Sequence, residues 1–311
     1  MSQFWSGRKV VVTGGNGFLG RVVVRTLTEN GADVLAPTHD ECDLTVPGRA
    51  EALFSSEKPS HVIHLAARVG GIGYNQADPA PLYLDNLLMG TYVIEGARAA
   101  GIEKTVLLGT VCSYPKFTPV PFREESLWDG YPEETNAPYG VAKKAHLLHA
   151  QVNAQQYGQQ FAYLIPTNLY GPGDKFHPSV SHVIPALIKK CVEAKEAGAD
   201  HIDVWGTGSA SREYLYVEDA AAAIVLAAEN HNGTEPINLG ADREITIRET
   251  AEAIAEVTGF TGTLKWDPTK PDGQPRRRID PGRAAELLGW KASMDFKEGL
   301  RRTVDWYLAN R

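Results

Sequence analysis

The stretch VVVTGGNGFLG at residues 10–20 decides the fold of this chain. Residues 10–13 are a short apolar, β-branched run that predicts a strand, and residues 18–30 have helical periodicity. Gly14, Gly17 and Gly20 recur between them at intervals of three. Such glycines let a strand-to-helix turn approach a pyrophosphate, and the helix N-terminus adds free amides. The stretch predicts a dinucleotide-binding βαβ unit; a glycine turn that binds nothing is the alternative.

Outward from this stretch, strand and helix patterns alternate. Further strands are predicted at residues 32–36, 61–65, 105–109 and 161–165, and helices at 48–56, 81–99 and 142–156. The alternation predicts an α/β fold with a Rossmann-type doubly wound parallel sheet over residues 1–170. The later sequence is irregular and rich in glycine and proline. We expect residues 171–311 to form mainly a smaller C-terminal α/β substrate-binding lobe, with segments near 213–242 returning to the core.

Composition narrows the class of protein. The 311 residues are 43% apolar and 22% charged, as in ordinary soluble globular proteins. The net charge of −7 argues against a nucleic-acid or membrane-surface partner. Three widely spaced cysteines without a CxxC pair suggest neither a disulfide framework nor a metal site. The chain begins without a signal-like leader and has no run of about 20 apolar residues, so we expect a cytoplasmic protein.

Proton-handling residues are the second informative feature. Tyr139 and Lys143 are four positions apart, so on a helix they share a face, and the ammonium is expected to lower the pKa of the phenol. This pair indicates hydride-transfer chemistry, although such pairs also occur on solvated helix surfaces. Cys112 and His182 are further candidates. Taken alone, Cys112 also fits a small buried hydrophobe, and His182 a structural role at a helix N-terminus.

Longer motifs carry a family resemblance. The GxxGxxG spacing, HLAA at residues 64–67, Asn86 and the Tyr139/Lys143 dyad resemble the extended short-chain dehydrogenase/reductase family. Within it, several strings resemble the GDP-L-fucose synthases, which are 3,5-epimerase-4-reductases of GDP-4-keto-6-deoxy-D-mannose. They are RVGGI (68–72), CSYPK (112–116), TNAPYGVAKK (135–144), PTNLYGPGDKFHPSVSHVIPALIKK (166–190), VWGTGSASREYLYVED (204–219) and KPDGQPRR (270–277). They span nearly the whole chain in the family's order.

The resemblance implies a two-stage reaction. Cys112 and His182 would move protons at C3 and C5 beside the C4 ketone, through enolates. Hydride transfer to C4 would follow, with Tyr139 as the proton donor, Lys143 on the nicotinamide ribose and Thr110 polarising the carbonyl. Thr110 and Val111 stand where the family usually has serines. We therefore expect carbonyl polarisation to be retained at Thr110, and the missing hydroxyl at Val111 leaves fine substrate positioning open.

The resemblance also implies two sets of binding residues. Those for the dinucleotide are Gly14, Asn16, Gly17, Phe18, Leu19, Gly20, Asp43, Leu44, Leu65, Ala66, Ala67, Asn86, Leu108, Tyr139, Lys143, Pro166, Asn168, Leu169 and His182. Those for the GDP-sugar are Asn168, Lys190, Trp205, Arg212, Lys270, Asp272 and Arg276. The alternatives are a helix N-cap for Asp43, an ordered loop for Asn168 and solvated surface charges for the cations.

The electron donor is the least specified part. Family members that use NADPH commonly carry arginines near the glycine loop and after the second strand, where this chain has Asn16 and APTHD at residues 36–40. Asp40 could instead accept the ribose 2′-hydroxyl of NADH. The family implies NADP(H), and the local chemistry favours NAD(H). We expect NADP(H) and keep NAD(H) as the alternative.

Other functions fit the sequence to different degrees. A 4,6-dehydratase would be expected to carry an Asp-Glu pair after Thr110, and a simple NAD-dependent 4-epimerase does not need Cys112 and His182. A 4-reductase of another GDP-deoxysugar or GDP-heptose, without epimerisation, retains almost every feature. A non-catalytic dinucleotide-binding sensor is a remote alternative, since fold alone does not determine function. Relatives commonly form homodimers by packing two core helices together, and the predicted helix at residues 81–99 could serve.

Overall fold

The computed structural model describes residues 3–177, 181–270 and 272–311. Residues 178–180 of the predicted HPSVSHVIPAL motif and residue 271 of KPDGQPRR lie outside this part. The strands are β1 (Lys9–Thr13), β2 (Asp33–Leu35), β3 (His61–His64), β4 (Lys104–Leu108), β5 (Gln160–Pro166), β6 (Asn168–Tyr170), β7 (His201–Trp205), β8 (Ser211–Tyr216), β9 (Pro236–Leu239), β10 (Glu244–Thr246), β11 (Thr263–Asp267) and β12 (Arg276–Arg277). The helices are α1 (Phe18–Glu29), α2 (Arg49–Glu57), α3 (Ile72–Ala77), α4 (Pro79–Ala99), α5 (Ala137–Tyr157), α6 (Val183–Glu196), α7 (Val217–Asn230), α8 (Ile247–Thr258), α9 (Gly282–Leu288) and α10 (Phe296–Asn310).

A parallel sheet forms the centre of the first lobe. Its described strands lie in the order β2-β1-β3-β4-β5-β9. Helices α1 and α7 cover one face, while α2, α4 and α5 cover the other. Because both faces are covered, β3 and most of β5 are continuous buried runs. The predicted Rossmann-type fold is confirmed, and the glycine stretch follows β1 at the switch point between β1 and β3.

Helix α5 begins earlier than predicted. It starts at Ala137 rather than at residue 142, after Asn136 as the N-cap. Pro138 lies in the first turn, where its fixed φ favours the helix and its missing N–H removes no helical bond. The earlier start places Tyr139 and Lys143 in the same helix.

The second lobe is built around β8. This strand pairs with β6, β10 and β12, while β7 pairs with β11. Helices α6, α8 and α10 supply a separate hydrophobic core, which includes Ile188, Ile254 and Leu300. Between these elements the chain contributes α7, which packs on α1, and β9, which forms an edge of the parallel sheet.

A buried carboxylate joins segments of both lobes. Glu213 of β8 accepts hydrogen bonds from the backbone amides of Ala241 (2.7 Å), Asp242 (2.8 Å) and Ile279 (2.9 Å). Burial nevertheless raises the pKa of Glu213 to about 7, because desolvation outweighs the stabilisation by the amides. These bonds hold the segment after β9 and the segment after β12 against β8, next to Arg212.

Candidate active site

The glycine turn forms a close cradle at the carboxyl end of β1. Gly14 has φ +71°, and a Cβ there would lie 2.6 Å from the backbone nitrogen of Ala66. A Cβ on Gly20 would lie 2.0 Å from the carbonyl oxygen of Gly14. Gly17 is the N-cap of α1 and has no side-chain cap, so first-turn amides remain available to a ligand. The first turn contains no acidic residue. This cradle fits the diphosphate of a dinucleotide.

The adjacent loop after β3 is held by Asn86. Its amide nitrogen donates to the carbonyl of Arg68 (2.8 Å), and its oxygen accepts from the Arg68 amide (3.1 Å). The same nitrogen donates to the Leu82 carbonyl. The buried Asn86 side chain is therefore engaged with the chain's own backbone and positions the loop that follows the half-buried Leu65, Ala66 and Ala67.

The contacts of Asp43, which follows β2, show whether this residue is a helix N-cap. Asp43 accepts hydrogen bonds from the backbone amide (2.9 Å) and hydroxyl (2.7 Å) of Thr45, which lower the pKa of Asp43. It is not the N-cap of α2, which is Gly48, so the N-cap interpretation is wrong. Asn16 donates through its side chain to the Ala36 carbonyl (3.1 Å) and so joins the glycine turn to the segment after β2.

The remaining predicted cofactor contacts differ in accessibility. Phe18 is half-buried, whereas Leu19 and Leu44 lie in the hydrophobic core. A dinucleotide would therefore contact Leu19 and Leu44 mainly through their backbone. Leu108 and Pro166 are the last residues of β4 and β5, where ligands of parallel sheets bind, and Leu169 lies in β6, three residues after Pro166.

Gly140 brings the dyad helix against the segment that follows β4. A Cβ on Gly140 would lie 2.4 Å from the carbonyl oxygen of Cys112. The hydroxyl of Ser113 donates to the Gly140 carbonyl (3.0 Å), and Thr110 Oγ1 accepts from the Cys112 amide (3.2 Å). The close approach places Tyr139 beside the segment that carries Thr110 and Cys112.

The pKa of Tyr139 in the dyad differs from the expected one. Lys143 Nζ lies over the Tyr139 ring, 5.8 Å from its centroid. Burial, followed by an electrostatic effect of Cys112, raises the pKa of Tyr139, so the predicted lowering of this pKa by Lys143 is wrong. Burial lowers the pKa of Lys143 to about 8. Tyr139 is thus held protonated, the state that a proton donor requires.

Val111 has a different role from the one expected. Its side chain is 4% exposed and packs in a core with Ile94, Leu107 and Leu147. The position begins a 3₁₀ turn over Val111–Ser113 that directs this side chain away from solvent. Because Val111 belongs to the core, its replacement of a serine does not remove a hydroxyl from the cleft.

Arg277 contacts one of the two predicted epimerisation residues and acts electrostatically on the other. Its Nη1 donates to Cys112 Sγ at 3.7 Å. His182 is the N-cap of α6 and reaches solvent, although the protein around its imidazole desolvates it. Desolvation, followed by the positive charges of Lys175 and Arg277, lowers the pKa of His182. The structure therefore places Cys112 and His182 within the electrostatic reach of one buried guanidinium.

Sequence reasoning chose Arg276 and missed Arg277. Arg276 is exposed and pairs with Glu244, with 2.8 Å between Nε and Oε1. Successive residues of a strand point to opposite faces, so within β12 only Arg277 turns towards Cys112. The consecutive arginines were visible in the sequence, but the face on which each side chain lies depends on pairing with β8.

Arg212 of β8 adds a second cation to this region. Its guanidinium donates to the carbonyls of Ser211 (2.7 Å), Gln274 (2.7 Å) and Asp272 (3.1 Å). Desolvation, followed by the charge of Arg277, lowers the pKa of Arg212 to about 10. Within the described residues, neither Arg212 nor Arg277 forms an ion pair with a carboxylate, so both charges remain available to an anionic ligand.

The outer predicted substrate residues form a rim. Lys270 Nζ lies 5.5 Å from the ring centroid of the exposed Trp205, and Lys190 donates to the Asp203 carbonyl (2.8 Å). Asp272 accepts from the amide and the hydroxyl of Thr207, both at 2.8 Å, and so holds the loop before β12.

Asn168 is engaged with the strand that carries Arg212. Its side-chain nitrogen donates to the Glu213 carbonyl at 2.9 Å, which supports the loop-ordering interpretation. Among the described residues, no cluster of His, Cys, Asp and Glu could hold a metal ion. In the same part of the chain, no helix is long and apolar enough to cross a membrane.

Comparison with known proteins shows the family of this chain. Residues 10–240 match the model of the NAD dependent epimerase/dehydratase family. GDP-L-fucose synthase 1 of Arabidopsis thaliana is 45% identical over 303 residues, which cover 97% of this chain and 94% of the relative. The chain therefore belongs to the NAD-dependent epimerase/dehydratase family and, within it, to the group of the GDP-L-fucose synthases. The resemblance inferred from the motifs is confirmed.

Two solved structures have the same fold. A GDP-6-OMe-4-keto-L-xylo-heptose reductase from C. jejuni superposes with a TM-score of 0.92 at 26% identity, covering 100% of this chain and 99% of the other. A GDP-L-fucose synthetase from Naegleria fowleri bound to NADP has a TM-score of 0.89 at 28% identity, covering 98% and 95%.

Proposed function

We propose that this protein converts GDP-4-keto-6-deoxy-D-mannose to GDP-L-fucose, by epimerisation at C3 and C5 and reduction at C4. The proposal rests on one observation above all: Arg277 contacts Cys112 and acts electrostatically on His182, and the helix of the Tyr139/Lys143 dyad packs against the Cys112 backbone. A site for hydride transfer alone does not need a thiol and an imidazole beside the dyad.

Epimerisation uses the acidity of carbons next to a ketone. One of Cys112 and His182 removes a proton from C3 or C5, which leaves an enolate, and the other returns a proton to the opposite face. The positive charges of Arg277 and Arg212 stabilise the developing negative charge. Because the pKa of His182 is lowered, its imidazole is neutral at neutral pH and can accept a proton.

Reduction uses the other half of the site. The dinucleotide, when bound on the glycine cradle, supplies the hydride; we propose NADP(H), which the Naegleria relative binds. Tyr139 donates a proton to the oxygen at C4 as the carbonyl becomes a hydroxyl. Lys143 holds the nicotinamide ribose, and the hydroxyl of Thr110 donates a hydrogen bond to the same sugar oxygen.

The GDP diphosphate would bind the unpaired cations of the second lobe. Arg212 and Arg277 carry buried or half-buried charges without a carboxylate partner in the described part of the chain. A diphosphate can accept bidentate hydrogen bonds from guanidinium groups. Lys190, Trp205 and Lys270 form the rim further out, where the nucleoside would lie.

A reductase without epimerisation is the second candidate. It is favoured by the full-length likeness to the heptose reductase of C. jejuni. Such an enzyme would use Thr110, Tyr139 and Lys143 in the same way, and Cys112 and His182 would then only shape the cleft.

Isotope exchange separates the two candidates. The protein is incubated with GDP-4-keto-6-deoxy-D-mannose and NADPH in heavy water, and the product is analysed by NMR and mass spectrometry. We expect GDP-L-fucose with deuterium at C3 and C5. An unlabelled sugar reduced at C4 would establish the reductase and exclude the epimerase.

Single substitutions test which residue acts in each stage of the reaction. Cys112→Ser should suppress exchange by at least about 100-fold, because it removes the thiol acid/base, while Tyr139→Phe should suppress hydride transfer and leave exchange measurable. Cys191→Ser, which changes a buried cysteine of the second-lobe core, is the matched control and should retain both activities. Wild-type exchange in Cys112→Ser would contradict the assignment of Cys112.

We also propose that the protein is a cytoplasmic homodimer. The described cysteines are unpaired, as a reducing compartment favours. Helices α4 and α5 pack on each other and expose apolar side chains, among them Leu84 (50% exposed) and Leu148 (53% exposed). A second copy would cover this face and bury the exposed leucines.

A further inference from the structure

The ribose end of the dinucleotide site lacks the expected arginines. The segment after β2 reads Ala36-Pro37-Thr38-His39-Asp40, and Asn16 occupies the glycine turn. In this fold the group near the end of β2 distinguishes the two coenzymes: a carboxylate accepts the 2′-hydroxyl of NAD, and an arginine binds the 2′-phosphate of NADP. A proposal of NADP(H) therefore requires a cation from another part of the chain.

Arg21 lies beside this position. Its Nε donates to the Asn16 carbonyl at 2.9 Å, and the Asn16 side chain donates to the Ala36 carbonyl at 3.1 Å. These two bonds connect α1, the glycine turn and the segment after β2 in one chain of contacts. Nε makes the bond to Asn16, and the terminal nitrogens of the guanidinium have no hydrogen-bond partner among the described residues, so both can donate to a ligand.

Packing around Gly15 also indicates that Arg21 lies near the end of β2. A Cβ on Gly15 would lie 2.6 Å from Ala36 Cβ and 3.0 Å from Val24 Cγ2, so Val24 faces the end of β2. Arg21 is three residues before Val24 and therefore on the same face of α1, one turn nearer the N-terminus. Side chains lean towards the helix N-terminus, which directs Arg21 to the edge of the sheet where the ribose binds.

The other cations nearby already have partners. Arg25 pairs with Glu218 at 2.7 Å, Arg49 donates to the Glu41 carbonyl at 2.9 Å, and His39 lies 3.9 Å from Asp43. Glu41 is turned inward to the amide and hydroxyl of Thr38. Among the described residues, Arg21 forms no ion pair, and its side chain is exposed.

We propose that Arg21 binds the 2′-phosphate of NADP(H) and thereby sets the coenzyme preference of this chain. The inference rests on the proposed use of a dinucleotide, and it assigns one residue to one phosphate group. Two parallel hydrogen bonds from the terminal nitrogens to phosphate oxygens give a charge-assisted contact that NAD(H) cannot make.

Calorimetric titration with oxidised coenzymes tests the assignment without turnover. Arg21→Gln should weaken binding of NADP+ by at least about tenfold and change binding of NAD+ by less than about twofold, because a charge-assisted bond is lost only with the phosphate. Arg21→Lys should retain part of the preference. Arg25→Gln is the matched control, one turn further along α1 and already paired, and it should change neither affinity.

Two outcomes would overturn the assignment. Equal weakening of both coenzymes by Arg21→Gln would mean that Arg21 only supports the glycine turn. Unchanged NADP+ binding, together with a loss of NAD+ binding in Asp40→Asn, would assign the ribose to Asp40. Neither measurement involves the sugar substrate, so either result leaves the deuterium-labelling test of the proposed function intact.

Discussion

At the scale of single residues, neighbouring arginines have different surroundings. Arg277 is buried and donates to Cys112, whereas Arg276 is exposed and paired with Glu244. Exposed ion pairs contribute little to stability or binding, but a charge inside a cleft acts strongly on a ligand and on neighbouring groups.

Exchanging each arginine separately tests this difference. Arg277→Gln should lower kcat/KM by about 10- to 100-fold, because a charge-assisted contact of about 1.5–3 kcal/mol is removed from the cleft. Arg276→Gln should change kcat/KM by less than about threefold. Thermal unfolding of both variants controls for folding. Similar losses from both substitutions would mean that the pair acts through the structure of β12.

The pKa of Lys143 leads to a pH dependence. Burial lowers this pKa to about 8, so the ammonium is present below that pH and is lost as the pH rises through it. We expect the single-turnover rate of C4 reduction to fall above a pH of about 8. The Lys143→Arg variant should react more slowly, but its rate should not fall above a pH of about 8, because a guanidinium stays charged. If the rate of Lys143→Arg falls with rising pH as it does in the wild type, the ionisation belongs to another group.

At the scale of elements, the site depends on how closely α4 and α5 approach their neighbours. Gly140 allows α5 to contact the Cys112 backbone, and Gly90 allows α4 to contact the His146 ring of α5. A Cβ on Gly90 would lie 2.1 Å from that ring. Small residues at these two points set the position of the helix that carries the dyad.

The contact between Gly90 and His146 can be tested by a double-mutant cycle. Gly90→Ala should lower the free energy of unfolding by about 1–3 kcal/mol, because the methyl group overlaps the ring. Adding His146→Ala should recover most of that loss. Gly73→Ala, in an exposed helix with no atom within 4 Å of the added Cβ, is the control and should be neutral or stabilising. Strictly additive losses would contradict the contact.

At the scale of the whole molecule, the residues of the proposed site come from both lobes. The first lobe supplies the glycine cradle, Thr110, Cys112 and the dyad. The second supplies Arg212, Arg277 and His182, and the bonds of Glu213 hold the segment that follows Arg277 against β8. Within the described ranges, α4 and α5 leave apolar side chains exposed, among them Leu84 and Leu148.

The proposed homodimer gives a prediction for this face. Leu148→Asp, or Leu84→Asp, should convert the dimer to a monomer in sedimentation velocity, because each places a charge at an apolar interface. Leu308→Asp, at a leucine of α10 that is 44% exposed, should leave the dimer intact. A monomeric wild type, or a dimer insensitive to both substitutions, would exclude this interface.

The strands and helices of the first lobe follow from local patterns. The glycine stretch, the buried runs and the alternation predicted the sheet correctly. The family motifs predicted the site roles of the dyad, Cys112 and His182, and these roles stay predictions. The start of α5 was predicted five residues late, because residues 137–141 include Pro138 and Gly140, which are not typical of a helix interior.

By itself, the sequence determined the fold class and the family, because glycine spacing, periodicity and long motifs are local properties of the chain. Only the tertiary structure decided which arginine faces Cys112, that Val111 belongs to the core, and that the pKa of Tyr139 is raised. These properties depend on burial and on contacts between segments more than 100 residues apart, such as that of Arg277 with Cys112. Local pattern cannot specify such contacts, since they exist only once the two lobes have packed together.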